Sequence, residues 1–94
     1  QNPTSMAFLD RLIDLGLASY CDAVSIHPYR HRTTPEASDL AGDIRHISNQ
    51  CAAHGGRRPV WFSELCWATN LPNGNTEKRA ARMLGRAVPL ALGT

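Results

Sequence analysis

The sequence predicts an α/β fold in which three helices surround two parallel strands, in the order helix, strand, helix, strand, helix. Three observations predict it. Two short apolar runs, Asp22 to His27 and Val60 to Glu64, have the composition of strands. Three other segments carry apolar residues at helical spacing. The connection between the two runs is long enough to hold a helix and return the second strand parallel to the first.

The first helix is expected from Thr4-Ser5, two good cap residues, with Phe8, Leu9, Leu12 and Ile13 on one face and Gly16 as its stop. Ala23, Val24 and Ile26 then form a compact run suited to a strand buried on both faces, ended by Pro28, which cannot donate to a ladder. After a polar, basic loop from Arg30 to Thr34, Thr34-Pro35-Glu36 reads as cap, N1 proline and first-turn acid, so the second helix is expected to begin there. Leu40, Ile44, Ile47 and Cys51 share one face of it and Gly55-Gly56 closes it, while Gly42 weakens it by about 1 kcal/mol relative to alanine. The second strand, Val60-Trp61-Phe62-Ser63-Glu64, has a β-branched residue and two aromatics and ends in a carboxylate. Beyond a loop containing Pro72 and Asn73-Gly74-Asn75, the third helix starts near Thr76. Its inner face is expected to hold Ala80, Met83, Leu84, Ala87 and Val88, and Pro89 is expected to kink or end it.

Two parallel strands alone cannot make a sheet buried on both faces. In an eight-stranded (β/α)8 TIM barrel one strand-helix unit takes about 31 residues, from roughly 250 divided by eight. His27 and Glu64 are 37 positions apart, so residues 1–94 read as about two to three βα units of such a barrel, a segment of a larger domain. A chain of this size buries only about 60 to 65% of its unfolded surface, enough for one modest core.

Composition narrows the partners. Ten Lys and Arg against eight Asp and Glu give a net charge of +2, and the arginines are scattered rather than clustered with aromatics, so no nucleic-acid partner is expected. No apolar run approaches the roughly 18 to 20 residues of a spanning helix, so no membrane partner is expected either. Cys21, Cys51 and Cys66 lack metal-ligand spacing and are an odd number for a disulfide framework; all three read as small apolar packers. His31, His46 and His54 show no ligand-like spacing, and no metal is assigned to them.

In parallel α/β architectures chemistry collects at the C-terminal ends of the strands, because the loops leaving those ends converge. Two groups of residues stand there: His27-Pro28-Tyr29 after the first strand, and Ser63-Glu64 closing the second, with Trp67 three residues on. A carboxylate ending an apolar strand is costly to bury without a partner, so Glu64 is either a functional acid or half of an ion pair with a neighbouring arginine. Trp67 offers either a flat face for a sugar ring or a core side chain.

Taken together, Asp22-Ala23-Val24-Ser25-Ile26-His27-Pro28-Tyr29 and Pro59-Val60-Trp61-Phe62-Ser63-Glu64-Leu65-Cys66-Trp67-Ala68-Thr69 resemble the sixth and seventh strands of retaining glycoside hydrolases of clan A, nearest the group of β-xylosidases and cellulase-like enzymes. The resemblance implies a (β/α)8 barrel that cleaves β-glycosidic bonds in oligo- or polysaccharides by double displacement, without a cofactor. It implies Glu64 as nucleophile, and His27 and Tyr29 as binders of sugar hydroxyls or of the nucleophile; a hydrogen bond from Tyr29 would favour the charged form of Glu64. Trp67 is carried as a candidate substrate-binding residue. Cys66 departs from the pattern, which commonly has glycine there. The second carboxyl group that a retaining mechanism needs, about 5 to 5.5 Å from the first, belongs to the fourth strand of the clan, upstream of this segment. The partners implied are a carbohydrate substrate and the rest of the barrel, and the 94 residues alone are expected to be inactive. The alternative is an inactive carbohydrate-binding or scaffold protein derived from a barrel. A different α/β enzyme with Ser63 or Cys66 as nucleophile lacks the Gly-x-Ser-x-Gly elbow.

Overall fold

The computed structural model of the chain describes residues 3–30, 32–70 and 74–94. Its elements are α1 (Pro3–Asp14), a 3₁₀ turn (Leu17–Ser19), β1 (Val24–Ile26), α2 (Leu40–Ala53), β2 (Val60–Phe62) and α3 (Glu77–Leu92). The strands are parallel and adjacent, with Val24 opposite Val60, Ser25 opposite Trp61 and Ile26 opposite Phe62. Three helices and two parallel strands thus form a small α/β unit. His31, Pro72 and Asn73 lie outside the described residues.

Several boundaries differ from expectation. Helix α1 already begins at Pro3, a residue whose fixed φ suits a first turn, so Thr4 and Ser5 lie inside it. Thr34-Pro35-Glu36 does start a turn, in which Thr34 Oγ1 accepts from Ala37 N–H at 3.0 Å, but this turn is not the start of α2. Asp39 adopts φ 55°, which breaks the helical path, and α2 begins at Leu40. Aspartate tolerates that left-handed backbone because its short side chain bonds locally. Here its carboxylate caps α2 by accepting from Gly42 N–H at 3.2 Å.

Gly42 therefore has a positive role that its low helix propensity concealed. A Cβ at position 42 would collide with the Asp39 carboxylate. Gly42→Ala is expected to gain about 1 kcal/mol of propensity and to lose about 1 kcal/mol of capping, leaving the urea midpoint nearly unchanged. In an Asp39→Ala background the cap is already gone, and the same substitution should raise the midpoint. Equal shifts in both backgrounds would show that the carboxylate does not cap the helix.

The core divides in two. Ile13, Ala18, Val24, Ile26, Ile47 and Cys51 pack α1, the 3₁₀ turn and α2 on one face of the sheet, joined by Leu9, Cys21, Val60 and Phe62. Leu40, Trp67, Met83 and Ala87 form the second cluster under α3, and Phe62 touches both. Outside these clusters, His46 Nε2 meets Asp10 at 2.8 Å and His54 Nε2 meets Asp14 at 3.3 Å, tying α1 to α2. Gly55, at φ 139°, permits the reversal after α2, and a Cβ there would come within 2.8 Å of Ser19 Oγ.

Helix α3 is capped by Thr76, whose hydroxyl accepts from Arg79 N–H at 3.1 Å. It runs past Pro89 to Leu92, so of the two outcomes expected at the proline, a kink or an end, the helix does not end there. Met83 and Ala87 are buried as expected, but Leu84 and Val88 are exposed. Val88 and Leu92 line an open apolar cleft of about 300 Å³ with Ile44, Val60, Phe62 and Leu65. The helix docks along a narrow stripe, and the space beside β2 is not filled by the described residues.

The expectation of strands buried on both faces also fails for these residues. In β1, Val24 and Ile26 are buried while Ser25 is exposed, and opposite it Trp61 is 64% exposed. One sheet face lies under the helices; the other, bearing Ser25 and Trp61, is open. The radius of gyration is 14.2 Å, against about 12 Å for a compact domain of this length.

Cys51 is buried, Cys21 half-buried and Cys66 exposed, so the reading of all three as packers holds for the first two alone. Burial, reinforced by Cys21 nearby, pushes the Cys51 thiol up from its ordinary value. Among the described residues Asp39 is the sole non-glycine residue with positive φ, so the backbone at Cys66 makes no demand for glycine.

Candidate functional site

Parallel pairing in register sends the C-terminal ends of β1 and β2 out side by side, and Ser63 N–H donates to the Ile26 carbonyl at 3.3 Å just beyond the ladder. From β1 the chain enters His27-Pro28-Tyr29. Pro28 is fully buried, and Tyr29 N–H donates to the His27 carbonyl at 2.9 Å, closing a three-residue turn. The turn carries the Tyr29 phenol to the end of the neighbouring strand, where its hydroxyl donates to Glu64 Oε2.

The same oxygen faces His27, whose Nδ1 lies 3.6 Å from Glu64 Oε2. The His27 and Tyr29 rings meet edge to face, with centroids 6.2 Å apart. The other imidazole nitrogen, Nε2, is 2.8 Å from Ser63 Oγ, and Ser63 Oγ is 2.8 Å from Ser25 Oγ. Five side chains from two strand ends thus form one polar cluster around a carboxylate.

Strand alternation explains the placement. Ser25 and His27 are two residues apart, as are Trp61 and Ser63, so each pair projects on one face of the sheet. With Ser25 opposite Trp61, the residue after β2 on that face is Ser63, and it falls beside His27. This is the open face, away from the helices.

Arg30, read from sequence as part of a polar loop, is buried. Its guanidinium pairs with Asp43 of α2 and donates to the Tyr29 carbonyl at 3.3 Å. It anchors the loop carrying Tyr29 onto α2. An arginine two residues past a strand-ending proline carried no sequence signal that would have separated it from the other scattered cations.

His27, Tyr29 and Glu64 are brought together; Trp67 is not. The Trp67 ring is 3% exposed, packs with Leu40, Met83 and Ala87, and donates its Nε1–H to the Thr33 carbonyl at 2.8 Å. It lies buried in the second core, apart from the cluster at the strand ends. Glu64 itself is not buried at the strand end: its side chain is 57% exposed and lies beyond the ladder. Its partners among the described residues are Tyr29 and His27, not an arginine. Ser25 is the member of this cluster that sequence reasoning passed over; the sequence places Ser63 at the strand end with Glu64, but not as a partner of His27.

The hydrogen bond to Glu64, with burial and the carboxylate's charge behind it, pushes the Tyr29 phenol from 10.0 up to about 12. Because the folded-state value is raised, the bond's contribution to stability is complete below pH 10 and is lost as pH climbs through 12. In a Tyr20→Phe background, ultraviolet titration should show Tyr29 ionising near 12 and, after Glu64→Gln, at a lower pH. An unchanged midpoint in the glutamine variant would mean that the phenol is not bonded to the carboxylate.

Among the described residues no cluster of His, Cys, Asp or Glu could hold a metal ion, and no helix is long and apolar enough to cross a membrane. Compared with protein-family models, curated proteins and solved structures, the chain matches none.

Proposed function

We propose that this chain supplies the sixth and seventh strands of a (β/α)8 barrel in a retaining β-glycoside hydrolase, with Glu64 as its nucleophile. The observation that carries the reading is the convergence of Tyr29 and His27 on Glu64 at the C-terminal ends of two adjacent parallel strands. The open sheet face and the unfilled cleft beside β2 support a larger sheet, since parallel strands are stable when both faces are covered.

The chemistry follows from the arrangement. A retaining mechanism needs one ionised carboxylate to attack the anomeric carbon and one protonated carboxyl group to release the leaving alcohol. A phenol donating to Glu64 stabilises its anionic form and fixes the plane of the carboxylate. Tyr29 and His27 both address Oε2, so Oε1 is the oxygen directed to the sugar. The attack forms an ester between Glu64 and the sugar while the leaving alcohol takes the proton of the acid; water then cleaves the ester with net retention. The acid belongs to the barrel half outside residues 1–94.

Two steps test this. In the clan that the sequence resembles, the acid is a Glu following Asn at the end of the fourth strand. Coding sequence upstream should therefore contain an Asn-Glu pair closing an apolar strand, two to three barrel units ahead of Glu64. The protein carrying it should then be treated with a dinitrophenyl 2-deoxy-2-fluoro-β-glycoside. That leaving group needs no acid, and the fluorine slows hydrolysis of the ester, so a fluoroglycosyl adduct should accumulate on the peptide containing Glu64. An adduct on another carboxylate, or turnover with inversion, refutes the assignment.

A further inference from the structure

We infer that Ser63, backed by Ser25, is a positioning residue that holds His27 in the tautomer whose Nδ1–H faces Glu64. The inference builds on the reading of Glu64 as a nucleophile and adds a hydrogen-bond relay to it.

Proton counting sets its direction. A neutral imidazole carries one N–H. Nδ1 is the nitrogen toward the Glu64 carboxylate, at 3.6 Å, and a lone pair pointed there would be repelled. With the proton on Nδ1, Nε2 is an acceptor, and its partner at 2.8 Å is the Ser63 hydroxyl, which must donate. The Ser63 oxygen then accepts from Ser25 at 2.8 Å. Every donation runs the same way, from Ser25 to Ser63 to His27 and on toward Glu64. The opposite direction would leave the Nδ1 lone pair against a carboxylate.

Serine suits the middle of this chain because a hydroxyl donates and accepts at once and can rotate. The strands supply the rigidity. Ser63 is fixed by its own N–H bond to Ile26, and Ser25 lies within β1. Second-layer hydrogen bonds that fix a ring's tautomer and orientation are a general means of tuning the group the ring faces.

The order serine hydroxyl, imidazole, carboxylate is also that of a nucleophilic serine with its base and orienting acid. A positioning role is favoured because the Ser63 oxygen is itself occupied by Ser25.

The test reads the tautomer directly. Nitrogen-15 spectra of the chain should show neutral His27 as Nδ1–H, in the wild type and in Ser63→Thr, which keeps the hydroxyl. In Ser63→Ala the population should move toward Nε2–H. In the protein that carries the acid, Ser63→Ala should also slow labelling of Glu64 by the fluoroglycoside by up to about 10²-fold, with Ser63→Thr restoring it. An unchanged tautomer in Ser63→Ala overturns the inference, as does labelling of Ser63 by a fluorophosphonate, which would make it a nucleophile. Failure of Glu64 to take the fluoroglycoside while the tautomer responds as expected would refute the glycosidase reading and leave the relay standing.

Discussion

On the proposed glycosidase reading, Glu64→Ala is expected to lower glycoside hydrolysis by on the order of 10⁴- to 10⁶-fold, the scale on which loss of a covalent nucleophile is felt. The variant loses the proposed attacking atom, while Tyr29 and His27 keep their other supports: the Pro28 turn, the Arg30 bond to the Tyr29 carbonyl and the Ser63 hydroxyl on His27. The vacated space should admit a small anion. Azide added to Glu64→Ala is therefore expected to restore turnover of a dinitrophenyl glycoside and to give a glycosyl azide of inverted configuration, because one displacement replaces two. Glu64→Gln keeps the shape but cannot accept the Tyr29 proton as an anion does, and azide should rescue it less well. Hydrolysis by Glu64→Ala at the wild-type rate, or a rescued product of retained configuration, would end the claim that Glu64 attacks the sugar.

The route to this site in the sequence was short because it ran through local rules. A proline ending an apolar run, a carboxylate ending the next, and a helix-length connection between them suffice to put Tyr29 and Glu64 at one end of a parallel pair. What the one-dimensional pattern did not carry was choice among equivalent partners. Leu84 and Val88 fit the inner face of α3 as well as Met83 and Ala87 do, but the helix meets the rest of the chain along a stripe too narrow for both pairs. Thr34-Pro35-Glu36 has every mark of a helix start, and it does begin a turn; Asp39 then takes a left-handed backbone and restarts the helix at Leu40.

The relay through Ser63 was hidden for a different reason. Strand alternation alone puts Ser25 with His27 and Trp61 with Ser63, but pairing those faces needs the register, which no sequence motif supplies. Reading the first strand as buried on both faces also removed the distinction between the helix-covered face and the open one, and with it the reason to group the serines with His27.

Trp67→Ala is expected to destabilise the chain by about 3 to 5 kcal/mol, the cost of truncating a buried aromatic. A domain of this length has about 5 to 14 kcal/mol in all, so the variant should stand close to unfolding. Three contributions act together. The indole fills the space between Leu40, Met83 and Ala87, which cannot close without moving α3. Its N–H satisfies the Thr33 carbonyl at 2.8 Å, just ahead of the Thr34 turn. And α3 has few other deep contacts, because Leu84 and Val88 face outward. Trp67→Phe keeps most of the ring and should cost about 1 to 3 kcal/mol, largely for the carbonyl left without its donor. Urea unfolding followed by circular dichroism checks both variants, since the exposed Trp61 makes fluorescence a poor reporter of this core. The comparison also separates the two roles open to a tryptophan near a strand end. A sugar platform would lose ligand binding on truncation with its urea midpoint unchanged, whereas a core side chain loses the midpoint first; a Trp67→Ala variant as stable as the wild type would return Trp67 to the substrate.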